Sequence, residues 1–499
     1  MLEWLTAYPS LGNPYTLTAA LAVTATVALM ILRKRSAFLM LLLLFAPFPK
    51  LYSIGLTVET DEIIAGSQLN NVARPGGSAS ELILIAGLLT LPLAPRRREW
   101  QKLSILGKIP AIWIVTVVLS AAIASLVKRE AYPLSSVLHT FRYAATVACY
   151  FLGRRCLSRD HAHEDLVRLT RLLLISGNVY IVLSILYYAF IGSTTNPNQM
   201  VADAGGGGIW RNYLLFFDYA YDFGLYAATV CVANLIAAVL SPSIKKAVWY
   251  ACGALLCALA TLLTGERGNL LILGTTLFVS VVVLARGASP AIANRAKRLA
   301  VGAVAVTVLV GAFQALFAPA VMTEKLAGTV RNDTGELAAS LGATLGVNPA
   351  AQTLLASLPI GDYAIRLALM LGSTTYFVHH PMGIGFGAEL SATGQFAHHD
   401  VVRIAVELGV AGLTVFAAVV MRLATFTRYR FPLDPQTAPL VVAIQAVTGG
   451  MLIAMCCAVT VVFLLKFSVL YWSLLGAIDG TAQLRRQPTP QRQPPAPLG

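Results

Sequence analysis

Between Tyr15 and Ile478 the sequence alternates long apolar runs with short basic clusters, and that alternation leaves few folds open. Each run is near the length that a bilayer demands, and backbone in lipid must bond to itself, as a helix does. About thirteen such segments can be drawn, at roughly 15–32, 37–53, 80–94, 109–127, 134–153, 172–191, 217–240, 247–264, 269–286, 299–318, 402–421, 437–464 and 467–479. The second, third and last are short enough to be re-entrant or interfacial. Only 12% of the residues are charged, against about 25% in a soluble domain. A soluble protein of this size has no way to hide so much apolar surface. The expected fold is an all-α polytopic membrane protein with about 12–13 transmembrane helices and one large periplasmic loop containing amphipathic helices.

The formal net charge of +14 would suit a nucleic-acid partner if the basic residues shared one face. They do not. Arg33-Lys34-Arg35, Arg96-Arg97-Arg98, Arg154-Arg155, Lys245-Lys246, Lys297-Arg298, Arg428 with Arg430, and Arg485-Arg486 each follow an odd-numbered apolar segment. That is the positive-inside pattern of cytoplasmic loops beside anionic lipid. The N-terminus is then expected outside and the C-terminus inside. No cleavable signal peptide is expected, because the first apolar run lacks a basic stretch before it and is followed by Arg33-Lys34-Arg35. The cysteines, Cys149, Cys156, Cys231, Cys252, Cys257, Cys456 and Cys457, show no metal-ligand spacing with a histidine and read as small buried residues.

The chain divides into a transmembrane bundle over 1–318, a loop over 319–401, C-terminal transmembrane helices over 402–480, and a Pro- and Gln-rich tail over 481–499 with the composition of a disordered cytoplasmic segment. A loop this long on the outer side is usually a lid or a site. Within it, "TGELAASLGATLG" and "DYAIRLALMLGSTTYFV" carry apolar residues at helical spacing, and the second is amphipathic enough to lie on the membrane surface.

The loop runs into "HHPMGIGFGAELSATGQFAHHDVVRIAVELGVAG", His379 to Gly412, which holds four of the seven histidines. His398, His399 and Asp400 stand where the next span begins. Asp400 suits a helix N-cap, which would make this end a polar cap. Equally, a neutral imidazole here has the pKa to take a proton from a hydroxyl. "GIGFG" permits close backbone approach but does not follow a strand, so it is no dinucleotide fingerprint. His379-His380 and His398-His399 lack the spacing of a metal site, and no metal is expected. The arginines expected on the outer side are few: Arg211 after "AGGGGIW", Arg267 in "TGERGN", Arg366 in the amphipathic stretch, and Arg403 at the start of a span. Each can be a headgroup anchor. Together they outline an anion site, since a guanidinium binds pyrophosphate through paired, charge-assisted hydrogen bonds. His139 and Arg142 fall within an apparent span, where charge is costly and commonly functional or paired.

These motifs resemble those of the O-antigen ligase and polymerase family of bacterial envelope glycosyltransferases. "HHPMGIGFG" is similar to the first half of the family's loop signature, and "HHDVVRIAVELGVAG" to the second, counted back from Glu407, Gly409 and Gly412. That register places the family's catalytic histidine at His398. His399 replaces the usual asparagine and Val401 the usual aromatic residue. "GERG" resembles the family's arginine turn at Arg267, and Arg366 fits the arginine that precedes the loop signature. The resemblance implies an undecaprenyl-pyrophosphate-linked glycan as donor, with no nucleotide sugar, cofactor or metal. It also implies a site on the periplasmic face of the bacterial inner membrane. His398 would be the base, Arg267 and Arg366 would hold the pyrophosphate, and Arg211, His399, Asp400 and Arg403 would support them. The acceptor would be another glycan or lipid A–core, and the motifs do not separate ligase from polymerase. Two rivals stay open. A lipid-linked glycan transporter or flippase needs charged groups at mid-membrane depth, and a non-catalytic scaffold leaves the histidine–arginine set unexplained.

Overall fold

The computed structural model describes residues 13–48, 50–53, 76–90, 105–127, 134–157, 161–191, 220–263, 267–286, 294, 297–298, 300–305, 343, 346–357, 361–389, 399–429, 434–456 and 465–486. Eight helices among them are long and apolar enough to cross a membrane, and the chain is an all-α, multi-pass membrane protein. The helices are α1 (Pro14–Arg33), α2 (Ala37–Phe45), α3 (Ala79–Thr90), α4 (Ile105–Val127), α5 (Leu134–Cys156), α6 (Ala162–Ile191) and α7 (Ala220–Leu240). They continue with α8 (Ile244–Leu263), α9 (Arg267–Ala285), α10 (Pro349–Ser357), α11 (Gly361–His379), α12 (Asp400–Arg428), α13 (Ala438–Cys456) and α14 (Leu465–Arg486).

Local chemistry sets several of these ends. Asn13 caps α1 by accepting from the Tyr15 amide at 2.9 Å, with Pro14 in the first turn, where a missing N–H costs nothing. Along α1, the hydroxyls of Thr18, Thr24 and Thr26 donate back to carbonyls four residues earlier, so these three hydroxyls are satisfied within the helix. The apolar run at 37–53 does not make one helix. It stops at Phe45, ahead of Pro47 and Pro49, and Lys50–Ser53 pairs antiparallel with Gly76–Ser78 in a small two-stranded ladder.

The core is organised around α7, which is enclosed on nearly all sides and packs against α6, α8, α9, α13 and α14. Asn234 on α7 and Asn178 on α6 exchange hydrogen bonds at 2.9 and 3.1 Å. Gly253 on α8 makes room for them, since a Cβ there would lie 2.8 Å from the Asn178 Oδ1. Satisfied in this way, the amides join helices inside the membrane.

Helices α5 and α14 have span length but more polar residues. They pack most extensively on each other, backbone against backbone. A Cβ on Gly153 would fall 1.9 Å from the Ser473 carbonyl oxygen, and one on Gly476 would fall 2.0 Å from that of Tyr150. The Tyr150 hydroxyl donates to Asp479 at 2.6 Å, and Arg154 lies 3.7 Å from the same carboxylate. The short segment expected at 467–479 is therefore a 22-residue helix, whose acidic residue is paired inside the bundle. It continues through Arg486, past the boundary expected at 480.

Candidate functional site

The histidine- and glycine-rich stretch folds as one unit with the helix that follows it. After α11 the chain turns through His380–Gly383, with the Gly383 amide donating to the His380 carbonyl at 2.9 Å. Gly383, Gly385 and Gly387 then take φ of 82°, 105° and 78°, which side chains other than hydrogen resist. Helix α12 is broken opposite them. Gly409 has φ 67° and ψ −166°, a conformation essentially reserved for glycine.

The break and the loop complete each other's hydrogen bonds. The Ile384 amide donates to the Val406 carbonyl at 3.1 Å, Gly385 to Glu407 at 2.9 Å, and Val410 to the Pro381 carbonyl at 3.0 Å. The approach is close enough that a Cβ on Gly409 would sit 2.4 Å from the Met382 carbonyl carbon. Ser120 on α4 also donates to the Glu407 carbonyl, at 3.4 Å. The loop is tied to α5 as well, by Ser136 Oγ donating to the Gly387 carbonyl at 2.7 Å. Phe386 is fully buried, stacked on the His139 ring at 5.7 Å and against Tyr143 at 4.9 Å. Tyr143 in turn accepts from the Trp113 indole at 3.1 Å.

A charged network lies beneath this junction. Arg403 donates from Nε to Glu407 Oε1 at 3.1 Å and lies 3.7 Å from Glu389 Oε2. Ser373 on α11 donates to the other oxygen of Glu389 at 3.0 Å. Glu389, Glu407 and Asp400 are fully buried and Arg403 is 6% exposed. Burial at this level requires paired charges. Nearby, Arg142 of α5 binds Glu81 of α3 through two of its nitrogens, Nε at 3.0 Å and Nη2, so the charge on that helix is paired. His139 lies within electrostatic reach of both Arg142 and Arg403, and its Nε2 is buried with no hydrogen-bond partner among the described residues.

The residues singled out in the sequence are placed as follows. His398 and Arg211 lie outside the described residues. Arg267 opens α9 and Arg366 is in α11, with their side chains outside the described set. Helix α11, which carries Arg366, packs against α12, which carries Arg403. Helix α9 packs against α13, which also contacts α12. The start of α9 is fixed by Asn269, which occupies a notch at Gly224 of α7, where a Cβ would fall 2.2 Å from the amide. His399, not Asp400, is the N-cap of α12, and its side chain makes no capping bond. Asp400 is the first helical residue, where a carboxylate still complements the helix dipole. Burial holds the half-buried His399 imidazole below its ordinary value of 6.5.

Helix α11 does not simply lie on a surface. Ala368 and Leu369 are buried and it packs on α10 and α12, while Val378 and His379 at its end are exposed. His380 stacks on Tyr376 with ring centres 4.6 Å apart. Among the described residues no group of three or more His, Cys, Asp or Glu is arranged to hold a metal ion. Glu389 and Glu81 were not singled out in the sequence. Glu81 carried a signal as an acid inside the apolar segment 80–94, whereas Glu389, in the loop, carried none. The chain matches no protein-family model and no curated protein.

Proposed function

We propose that this chain is a membrane glycosyltransferase that moves a glycan from an undecaprenyl-pyrophosphate donor to an acceptor hydroxyl, as an O-antigen ligase or as an exopolysaccharide or O-antigen polymerase. One observation carries the reading. The two halves of the stretch on which the resemblance rests, 379–389 and 399–412, pack on each other as a single unit at the head of a membrane helix.

In this reading the site faces the periplasm from the bacterial inner membrane. The acceptor O–H gives its proton to the His398 imidazole. The oxygen attacks the anomeric carbon, and the bond from that carbon to the pyrophosphate oxygen breaks. The lipid pyrophosphate leaves with the electron pair, and the anomeric configuration inverts. Arg267 and Arg366 stabilise the charge developing on the leaving group. Neither a metal nor a nucleotide sugar takes part.

The test is complementation of a deletion strain with His398→Ala, followed by surface-polysaccharide analysis. Loss of a general base costs about 100- to 10,000-fold in rate, so the expected result is unlinked long glycan for a ligase or single-repeat glycan for a polymerase. His399→Ala does less harm. Normal polysaccharide from the His398→Ala strain refutes the mechanism. A second reading, a lipid-linked glycan transporter, is favoured by the broken α12 and the buried ions beside the break, features that transport helices share. Transport would survive loss of His398, so the same strain separates the two.

A further inference from the structure

Arg403 was expected to be an anchor at the membrane surface or an anion ligand. Its surroundings fit neither role. It is buried, and the carboxylates of Glu389 and Glu407 are on it. These three residues come from different parts of the junction. Glu389 ends the glycine loop and is also held by Ser373 of α11, while Arg403 and Glu407 span the first two turns of α12, just ahead of the break at Gly409. A helix interrupted at Gly409 has lost part of the hydrogen-bond ladder that would fix its first half to its second. Something else must set the angle and register of Asp400–Leu408. A buried ion network adds little net stability, and its best-attested use is to select one arrangement among several.

We propose that Arg403 is a positioning residue. Through Glu389 and Glu407 it fastens the first two turns of α12 to the glycine loop and α11, and so fixes where the His399 end of that helix stands. The consequence for rate rests on the glycosyl-transfer reading, because His398 immediately precedes that end. The structural part does not.

The test uses the full chain in lipid nanodiscs. Arg403→Met alone would leave two acids buried without their partner and is prone to misfold. The informative variant therefore removes Arg403 and both of its carboxylate partners at once, as Arg403→Met with Glu389→Gln and Glu407→Gln. Arg403→Lys, which keeps the charge, is its companion. Hydrogen–deuterium exchange across 381–389 and 400–410 is expected to quicken at least tenfold in the charge-stripped variant and to stay close to wild type in Arg403→Lys. Glycan transfer by the charge-stripped variant is expected to lose about 10- to 100-fold in kcat, the scale of a misplacement of about 1 Å, with the donor KM unchanged. Unchanged exchange in that variant overturns the proposal. So does quickened exchange with wild-type kcat, because the network would then be purely structural. The exchange measurement involves no glycan chemistry. A wild-type chain without transferase activity would refute the proposed function, while exchange would still decide the role of Arg403.

Discussion

Substituting Gly409 by alanine tests the junction at its tightest point. The added Cβ would lie 2.4 Å from the Met382 carbonyl carbon and 2.5 Å from the Pro381 oxygen, both backbone atoms that cannot rotate away. The conformation of Gly409 itself costs a side-chain-bearing residue about 1–3 kcal/mol. Relieving the overlap means separating the loop from the break, which gives up the three hydrogen bonds made by Ile384, Gly385 and Val410. At about 0.5–1.5 kcal/mol net for each, they amount to roughly 1.5–4.5 kcal/mol. The expected loss is on the order of 2.5–7.5 kcal/mol. Gly274→Ala provides the control, because that glycine lies inside α9 with nothing within 4 Å of its Cβ position, so alanine there gains up to about 1 kcal/mol of helix propensity. Thermal denaturation of both variants in the same detergent, monitored by loss of a monodisperse peak, should place Gly409→Ala well below wild type and Gly274→Ala at or above it. Equal stability of Gly409→Ala and wild type would mean that the loop and the broken helix do not meet as described.

Tyr150→Phe removes the 2.6 Å bond to Asp479 that joins α5 to α14, and should cost about 1.5–3 kcal/mol by the same denaturation assay, as a bond to a charged group does. His399 carries a pH dependence. Its folded pKa lies below the unfolded one, so the folded state resists protonation, and its contribution to stability is complete above pH 6.5 and lost as pH falls through the lowered folded value. His399→Gln should flatten that acid limb in a melting series, and an unaltered limb would show that another group titrates. Cysteine labelling at Gly335→Cys and Gly394→Cys should report both positions on the outer side, and labelling of both from the cytoplasm would remove the site's assignment to the periplasmic face.

Hydropathy found most of the bundle because exposure to lipid and apolar composition are nearly the same property for α1, α4, α8 and α9. It failed where polar residues are paired with neighbours that the sequence does not identify. Helix α14 looked short because Asp479 counts against a span until Tyr150 and Arg154 are placed beside it. Helix α6 begins at Ala162, well before the apolar run, in a polar turn that hydropathy passes over although the spacing of Arg168 from Glu164 and Asp165 suits a helix. The break in α12 is invisible to hydropathy, since 402–421 reads as one smooth apolar helix and only the positive φ of Gly409 interrupts it. At the candidate site, the Arg403–Glu407 pair was readable from its spacing of four. Glu389 was not, because it comes from a loop whose path depends on three left-handed glycines.

The contact between α5 and α14 also bears on how the protein is made. Helix α14 follows every other described helix in the chain, yet its glycines are what close the face of α5 that carries Gly153, Tyr150 and Arg154. About 300 residues separate the two helices, and translation at ~5–20 residues per second needs roughly 15–60 s to cover them. For that interval the Gly153 notch of α5 stays open, and Tyr150 and Arg154 stand without the Asp479 carboxylate. That face of α5 is therefore completed only after every other described helix has been made.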